Sequence, residues 1–377
     1  MTQPLTVLHV HSGNLYGGIE SGLVTLLRHP GTLRHRVALS YESQLAGRLR
    51  GAGTEVHILG EARFGRPWSV WLARRRLAGL VAAQPPAVMM CHSPWSLAAF
   101  GPVARASGVP LGLWAHGAFT GRHWLERLAR FTAPPDFALC NSEFTRSALP
   151  SAFPGTPSQV IRQAVEVPPT FDPARRPAKR GGHGAGPDTV VITMVARLEP
   201  WKGHAALLDA LASLRDVPGW TAWIVGGAQR RAEDMYRASL ERRVNQTRIA
   251  DRVHFLGQRD DVASLLWASD VYCQPNAEPE PFGITFVEAL YAGLPVVATD
   301  WGGPRETVTP DCGIMVPPGN PDALRDVLSR LIADGELRRR LGAAGPARAA
   351  ALCDPERIAA RLAQILRTLS PPRRAAP

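Results

Sequence analysis

None of the five cysteines, Cys91, Cys140, Cys273, Cys312 and Cys353, forms a CxxC pair with another. Their scatter disfavours a disulfide framework or a zinc cage and suits a reduced, cytoplasmic compartment. No run of about 18 apolar residues occurs, so no membrane-spanning helix is expected. The opening MTQPLTVLHVHSG carries no basic region ahead of its apolar run and does not read as a secretory signal. Lysine is scarce: Lys179 and Lys202 are the only two. No Asp-x-Asp metal motif occurs. The glycines after the first apolar run are spaced G-x3-GG, unlike the GxGxxG of a nicotinamide site.

What remains is a chain of 377 residues, 45% of them hydrophobic, which bounds it at about two or three domains with substantial cores. Its formal charge of +11 is uneven. Residues 1–166 hold 16 Arg against 8 Asp/Glu, a net of +8, whereas the rest holds 27 Lys/Arg against 24 Asp/Glu, a net of +3. A basic first half favours an anionic partner, although compositional drift toward arginine also accounts for it.

Short β-rich runs alternate with helical patterns from the start: LTVLHV (5–10), HRVALS (35–40), EVHILG (55–60), AVMMC (87–91), PLGLWAH (110–116) and DFALCN (136–141). This is the pattern of a parallel sheet covered on both faces. It breaks over 167–189, a Pro-, Gly- and Arg-rich stretch that reads as a linker. A second alternation then runs from VVITMVA (190–196) to GIMVPP (313–318) and a helix near Asp322 to Leu331, and ERIAARLAQILRTL (356–369) is a last amphipathic helix. The expectation is α/β: two Rossmann-like, doubly wound domains facing across a cleft. In such sheets ligands sit beyond the carboxyl ends of the strands.

In the first half, Gly13, Gly17 and Gly18 lie between strand and helix, where they form either a plain turn or an anion-binding helix start. His9, His11, His92 and His116 mark three strand ends, but no carboxylate or thiol accompanies them at metal-ligand spacing. His116, followed by Gly117, is the strongest candidate among them. Asn141 and Ser142 stand where a strand yields to a helix, Ser142 as an N-cap. RPWSVWLARRRLAGL (66–80) joins Trp68 and Trp71 to Arg74, Arg75 and Arg76, which is either a surface for an anionic membrane or a solvated helix with inward tryptophans. No nucleic-acid-reading module is present.

In the second half, Arg197 follows a strand and Lys202 precedes a helix, the residue types of a diphosphate site; a solvated pair is the plain reading. In EPEPFGITFVEAL, Pro279 and Pro281 keep Glu280 out of any helix, while Glu288 falls in the second turn of a helix beginning near Gly283 and Ile284. Two carboxylates so close can be an acid/base pair, a ligand clamp or a solvated face. WGGPRETV (301–308) adds a Gly-Gly turn.

The ordered set GNLYGGIE, VARLEPWKG, EPFGITFVE and FVEALYAGLPVVATDWGG resembles the retaining, nucleotide-sugar-dependent glycosyltransferases of family 4 (group 1), with the GT-B fold, over nearly the whole chain. The resemblance implies that Arg197 and Lys202 hold the donor diphosphate and that Glu288 bonds the ribose. Glu280, with the amides of Phe282, Gly283 and Ile284, would hold sugar and phosphate. The loop Gln258–Asp261, with Arg259, would border the base, Gly17 and Gly18 would face phosphate or acceptor, and His116 would meet the transferred sugar. Implied too are a nucleotide-diphosphate sugar (UDP- or GDP-linked) as co-substrate, a hydroxyl acceptor, no cofactor, no metal and no nucleic acid. Two departures stand out: Ala196 replaces a frequent glycine, and QAVE (163–166) replaces the usual NGVD-like end of the first domain.

The implied organisation is an acceptor domain over 1–166, a linker over 167–189, a nucleotide-sugar domain over 190–355, and a segment 356–377 whose helix returns to the first domain. Three rivals remain: a nucleotide-sugar epimerase on the same architecture, a glycosidase using Glu280 and Glu288, and a non-catalytic nucleotide- or membrane-binding module. The basic first half suits a lipid-linked or anionic acceptor and peripheral attachment to the inner membrane face.

Overall fold

The computed structural model describes residues 4–369. Residues 1–3 of the opening segment and 370–377 of the C-terminal segment lie outside the described residues. The chain divides into two compact units, one made of the part up to Val165 together with the part from Cys353, the other of Glu166–Leu352.

The first unit holds strands β1 (Leu5–His11), β2 (Leu33–Leu39), β3 (Glu55–Ile58), β4 (Val88–Cys91), β5 (Leu111–Ala115), β6 (Phe137–Cys140) and β7 (Ser158–Val160). All pair in parallel, in the order β3-β2-β1-β4-β5-β6-β7. The strands read as apolar runs rather than alternations because both faces are buried. Leu8, Val10, Met89 and Cys91 pack on one side, Val7, Val37, Val88 and Met90 on the other. The helix Pro355–Leu369 lays Ile358, Leu362, Ile365 and Leu366 against the second face, beside the helix Gly18–Arg28. Each such side chain, fully buried, contributes about 1.5–3 kcal/mol.

The second unit holds β8 (Val190–Val195), β9 (Trp220–Val225), β10 (Val253–Gly257), β11 (Val271–Gln274), β12 (Val296–Thr299) and β13 (Gly313–Val316), in the order β10-β9-β8-β11-β12-β13. Both are doubly wound parallel sheets. In each, strand order reverses once, between β1 and β4 and between β8 and β11. That reversal leaves a crevice at the carboxyl ends, where adjoining loops leave in opposite directions.

The segment 167–189 corrects the linker reading. It forms a turn at Pro173–Arg175 and a helix at Arg176–Gly181 that pack into the second unit. Arg180 is buried, with Nη1 2.9 Å from Asp270 Oδ2, and Arg176 donates to Asp270 Oδ1 at 2.8 Å. The arginines that looked like exposed connection are thus partners of a carboxylate at the start of β11. Helices Pro94–Ser107, Arg231–Gln246 and Gly335–Cys353, and the edge strand β7, carried no clear sequence signal.

Candidate active site

Beyond the β8/β11 reversal, the loops leaving the two strands lock together through backbone. Gly203, at φ +88°, caps the helix His204–Ala212, and a Cβ there would sit 1.8 Å from the Pro275 carbonyl. The Ala277 amide donates to the Trp201 carbonyl at 2.8 Å. Gly226, after β9, lies so close to the Ala196 carbonyl that an added Cβ would approach it to 1.9 Å. The short turn Pro200–Lys202 is therefore held rigidly above the sheet.

Lys202 and Glu280, far apart in sequence, meet here. Lys202 Nζ lies 2.5 Å from Glu280 Oε2 and 3.8 Å from the centre of the Trp201 ring. Glu280 is buried, and the side-chain amides of Gln274 (3.3 Å) and Asn276 (3.2 Å) donate to the same oxygen. Its backbone is pinned as well. The Gly303 amide donates to the Glu280 carbonyl at 2.7 Å, and a Cβ on Gly302 (φ +77°) would approach that carbonyl to 2.4 Å. The buried Glu280 carboxylate is thus surrounded by hydrogen-bond donors, the condition under which a desolvated charge survives.

Arg197 is partly exposed and bound to Glu199 at 3.0 Å, with Glu233 3.9 Å away. Both cations of the expected diphosphate site are thus matched to carboxylates within the protein.

Gly283, at φ +82°, caps the helix Ile284–Tyr291. The side chains of Phe282 and Ile284 are buried, so these residues offer their amides rather than their side chains. The first amides of a helix have no intrahelical acceptor and form an anion-binding end. Glu288 sits one turn further on. Burial pushes its carboxyl up to about 7, and it makes no hydrogen bond among the described residues. Arg259 forks onto Asp261 at 2.8 and 2.9 Å, and Asp261 also pairs with Lys179. Arg259 is therefore fixed within its own loop, on the edge-strand side of the sheet after β10.

The first unit presents a different surface. Gly17 is in extended conformation, and its amide is donated to Glu20 Oε2 at 2.9 Å, so it is already spent within the protein; Gly18 is the first residue of the helix Gly18–Arg28. His11 Nε2 lies 3.3 Å from Glu20 Oε1, and its Nδ1 accepts from the Gly13 amide at 2.9 Å. His116 follows β5, with its ring stacked 5.4 Å from His92 and 5.9 Å from Trp114. Burial holds its imidazole down to about 3. Ser142 caps the helix Glu143–Ala148, as expected of it. Among the described residues no cluster of three or more His, Cys, Asp or Glu has the arrangement of a metal site.

Sequence reasoning missed Gln274, Asn276 and Gly226, which carry no motif-like signal by themselves. Only β11 ending one residue before Pro275 hinted that Gln274 and Asn276 flank the loop bearing Glu280.

Comparison with known proteins follows the same division. Residues 175–348 match the family model for group 1 glycosyl transferases, and residues 16–167 that for glycosyltransferase family 4. A GDP-mannose-dependent alpha-(1-6)-phosphatidylinositol monomannoside mannosyltransferase of Mycobacterium tuberculosis is 31% identical over 288 residues, 72% of this chain and 73% of that protein. A related monoacylated-substrate enzyme of Corynebacterium glutamicum is 32% identical over 60% of this chain, and a phosphatidyl-myo-inositol mannosyltransferase of Mycobacterium leprae 35% identical over 46%. The matched stretches span 61% and 44% of those two relatives. Among solved structures, HepE of Anabaena in complex with UDP and glucose superposes with a TM-score of 0.86 over 96% of this chain and 99% of its own, at 24% identity. WaaG, a glycosyltransferase involved in lipopolysaccharide biosynthesis, gives 0.72 at 16%, over 96% of this chain and 99% of its own. At these identities the likeness is one of fold.

Proposed function

Because the chain belongs to the group 1, family 4 glycosyltransferases of GT-B fold, we propose that it moves a hexose-type sugar from a nucleoside-diphosphate donor to a hydroxyl acceptor, with retention of anomeric configuration. The observation that carries this reading is the part-buried Lys202–Glu280 pair at the β8/β11 reversal, beside the helix start at Gly283. In the proposed reaction the diphosphate takes Lys202 and Arg197 as counter-charges. As the bond from the anomeric carbon to the diphosphate oxygen breaks, negative charge grows on that oxygen and the two cations stabilise it. The acceptor hydroxyl enters on the face the diphosphate leaves and gives its proton to the departing oxygen. Glu280 and the amides after it hold sugar and phosphate, Glu288 accepts from the ribose hydroxyls, Arg259 borders the base, and His116 serves the transferred sugar. The protein's own cations supply the positive charge, so the step needs no metal.

Two relatives are named for GDP-mannose and for phosphatidylinositol mannosides. GDP-mannose and inositol phospholipids are therefore the first donor and acceptor to test. No helix among the described residues is long and apolar enough to cross a membrane. A peripheral contact has a candidate surface in the first unit. Trp68 (62% exposed), Trp71 (55%), Trp124 (54%) and Phe131 (90%) are outward, and Phe64 packs edge-on to Trp124 at 5.3 Å. Only part of the adjacent basic triplet serves such a surface. Arg74 and Arg76 spend their guanidinium groups on the carbonyls of Ala98, Ala99 and Leu59, whereas Arg75 stacks over Trp71 at 4.9 Å.

A screen of UDP-, GDP- and ADP-sugars by thermal unfolding tests the donor assignment, since a ligand of the folded state raises the midpoint. One nucleotide series is expected to raise it, and a flat response to all three contradicts the reading. The glycosidase reading keeps one observation in its favour, the Glu288 carboxyl near 7 in the same segment as an ion-paired Glu280. Release of free sugar from aryl glycosides without any nucleotide separates it from transfer.

A further inference from the structure

Trp201 stands between the two cations of the second unit's candidate site. The Lys202 ammonium lies 3.8 Å from the centre of its ring, and its indole Nε1 donates to Glu199 Oε2 at 2.9 Å. Arg197 Nη2 reaches the same Glu199 oxygen at 3.0 Å. A line of contacts therefore runs Arg197–Glu199–Trp201–Lys202–Glu280, the last step at 2.5 Å. All but Glu280 come from one stretch, RLEPWK, between β8 and the helix His204–Ala212.

The backbone that carries the indole is pinned. The Ala277 amide donates to the Trp201 carbonyl at 2.8 Å, the Lys202 amide to the Glu199 carbonyl at 3.0 Å, and the Gly203 amide to the Pro200 carbonyl at 3.1 Å. Pro200 fixes φ just ahead of the ring. Lysine and arginine stems are the opposite case, long and rich in rotamers. A cation over an indole face is drawn to the ring's quadrupole, and a sheltered indole N–H needs an acceptor. One side chain meets both demands. Its face constrains Lys202, and its N–H constrains Glu199, whose shared oxygen constrains Arg197. The Glu199 and Lys202 side chains are only 18% and 15% exposed, so water screens these attractions weakly.

The two contacts of the indole can be separated by substitution. Phenylalanine at 201 keeps a ring face for Lys202 and loses the N–H to Glu199. Leucine loses both.

We propose that Trp201 is a positioning residue that sets both cations of the candidate diphosphate site by separate contacts, Lys202 through its ring face and Arg197 through its N–H and Glu199. Trp201 and Glu199 act through the cations and not on the reacting atoms. The negative charge that grows on the departing diphosphate oxygen then meets two cations placed by one ring. Loss of the indole therefore falls mainly on turnover rather than on KM for the donor. That the anion is a nucleoside diphosphate rests on the glycosyltransferase reading; the linkage of the two cations does not.

The test is a double-mutant cycle on the full chain, with kcat and KM measured on the nucleotide sugar that raises the unfolding midpoint. Trp201→Phe is expected to lower kcat about 10-fold, the scale of one hydrogen bond to a charged group, and to leave KM nearly unchanged. In an Arg197→Ala background the same substitution is expected to cost less than about 2-fold, because the N–H acts only on Arg197. Trp201→Leu still lowers kcat in that background, through Lys202. Glu199→Gln breaks the line at its other step and is expected to show the same dependence on Arg197; it is the variant read if Trp201→Phe does not fold. Equal losses from Trp201→Phe with and without Arg197 overturn the proposal. So does a folded Trp201→Phe with the wild-type kcat, or one whose whole loss lies in KM. If no sugar nucleotide is turned over, the glycosyltransferase reading fails, and the affinities of the same variants for inorganic pyrophosphate, by calorimetry, decide the linkage. A weakening by Trp201→Phe that requires Arg197 upholds it; equal weakening in both backgrounds, or no binding by the wild-type chain, overturns it.

Discussion

Glu280 and Glu288 share a motif and differ in surroundings. Glu280 is held by a lysine and two amides, and Glu288 stands in a pocket without a hydrogen bond. The difference has a pH signature. Burial raises the Glu288 carboxyl to about 7, so in the folded chain it keeps its proton in a range where the unfolded chain has lost it. Its contribution to stability is therefore present at low pH and lost as pH rises through about 7. Nucleotide binding runs the other way, because only the ionised carboxylate accepts from both ribose hydroxyls. Affinity for the nucleotide, measured by calorimetry, is expected to strengthen as pH rises through that value, and Glu288→Gln to flatten the profile. A flat wild-type profile counts against the ribose role. For the cation, Lys202→Ala is expected to lower donor turnover by about 10²-fold or more, the scale of losing one transition-state charge partner. Its unfolding midpoint has to be measured alongside, since Glu280 is left buried without its partner.

At the scale of elements, the loops around the reversal of strand order are held by backbone contact. Gly203→Ala places a Cβ against the Pro275 carbonyl in a left-handed conformation, and is expected to cost about 1–3 kcal/mol in chemical denaturation. A stable variant would mean that the turn carrying Lys202 is free to move. The buried histidines of β1, β2, β4 and β5 make a second element-scale prediction. His9, His11, His35, His92 and His116 all have values lowered by burial, so the unfolded chain binds protons that the folded chain refuses. Stability is then full above about pH 6.5 and falls as the solution is acidified toward 4. A thermal midpoint constant between pH 7 and 5 would contradict it.

The strands were legible because doubly buried parallel strands write themselves as unbroken apolar runs, LTVLHV and VVITMVA among them. The Arg176–Gly181 helix was not, because its arginines find their carboxylates in Asp270 and its lysine in Asp261, some 80–95 residues away. Glu280 and Lys202 could each be singled out locally, but their contact is a product of strand order. The contacts among His35, His9, His92 and His116 are the same kind of fact: each histidine sits at a separate strand, and only the order β2-β1-β4-β5 makes them neighbours.

For the whole molecule, charge and exposed aromatics bear on where it works. If Trp68, Trp71, Trp124 and Phe131 meet a bilayer, flotation with acidic liposomes is expected at low salt, lost on replacing Trp68 and Trp71 by Ser and weakened by salt. Protein left in the soluble fraction at low salt defeats the membrane reading without touching the chemistry. The chemistry itself is tested most directly by incubating the full chain with GDP- and UDP-sugars and an inositol phospholipid, and following nucleoside diphosphate and glycolipid together. The account predicts that one donor series yields both products in equal amounts, without added metal, and that Lys202→Ala loses about 10²-fold or more of that rate. A folded wild-type chain that consumes no nucleotide sugar, or a Lys202→Ala variant with unchanged kcat/KM, would contradict it.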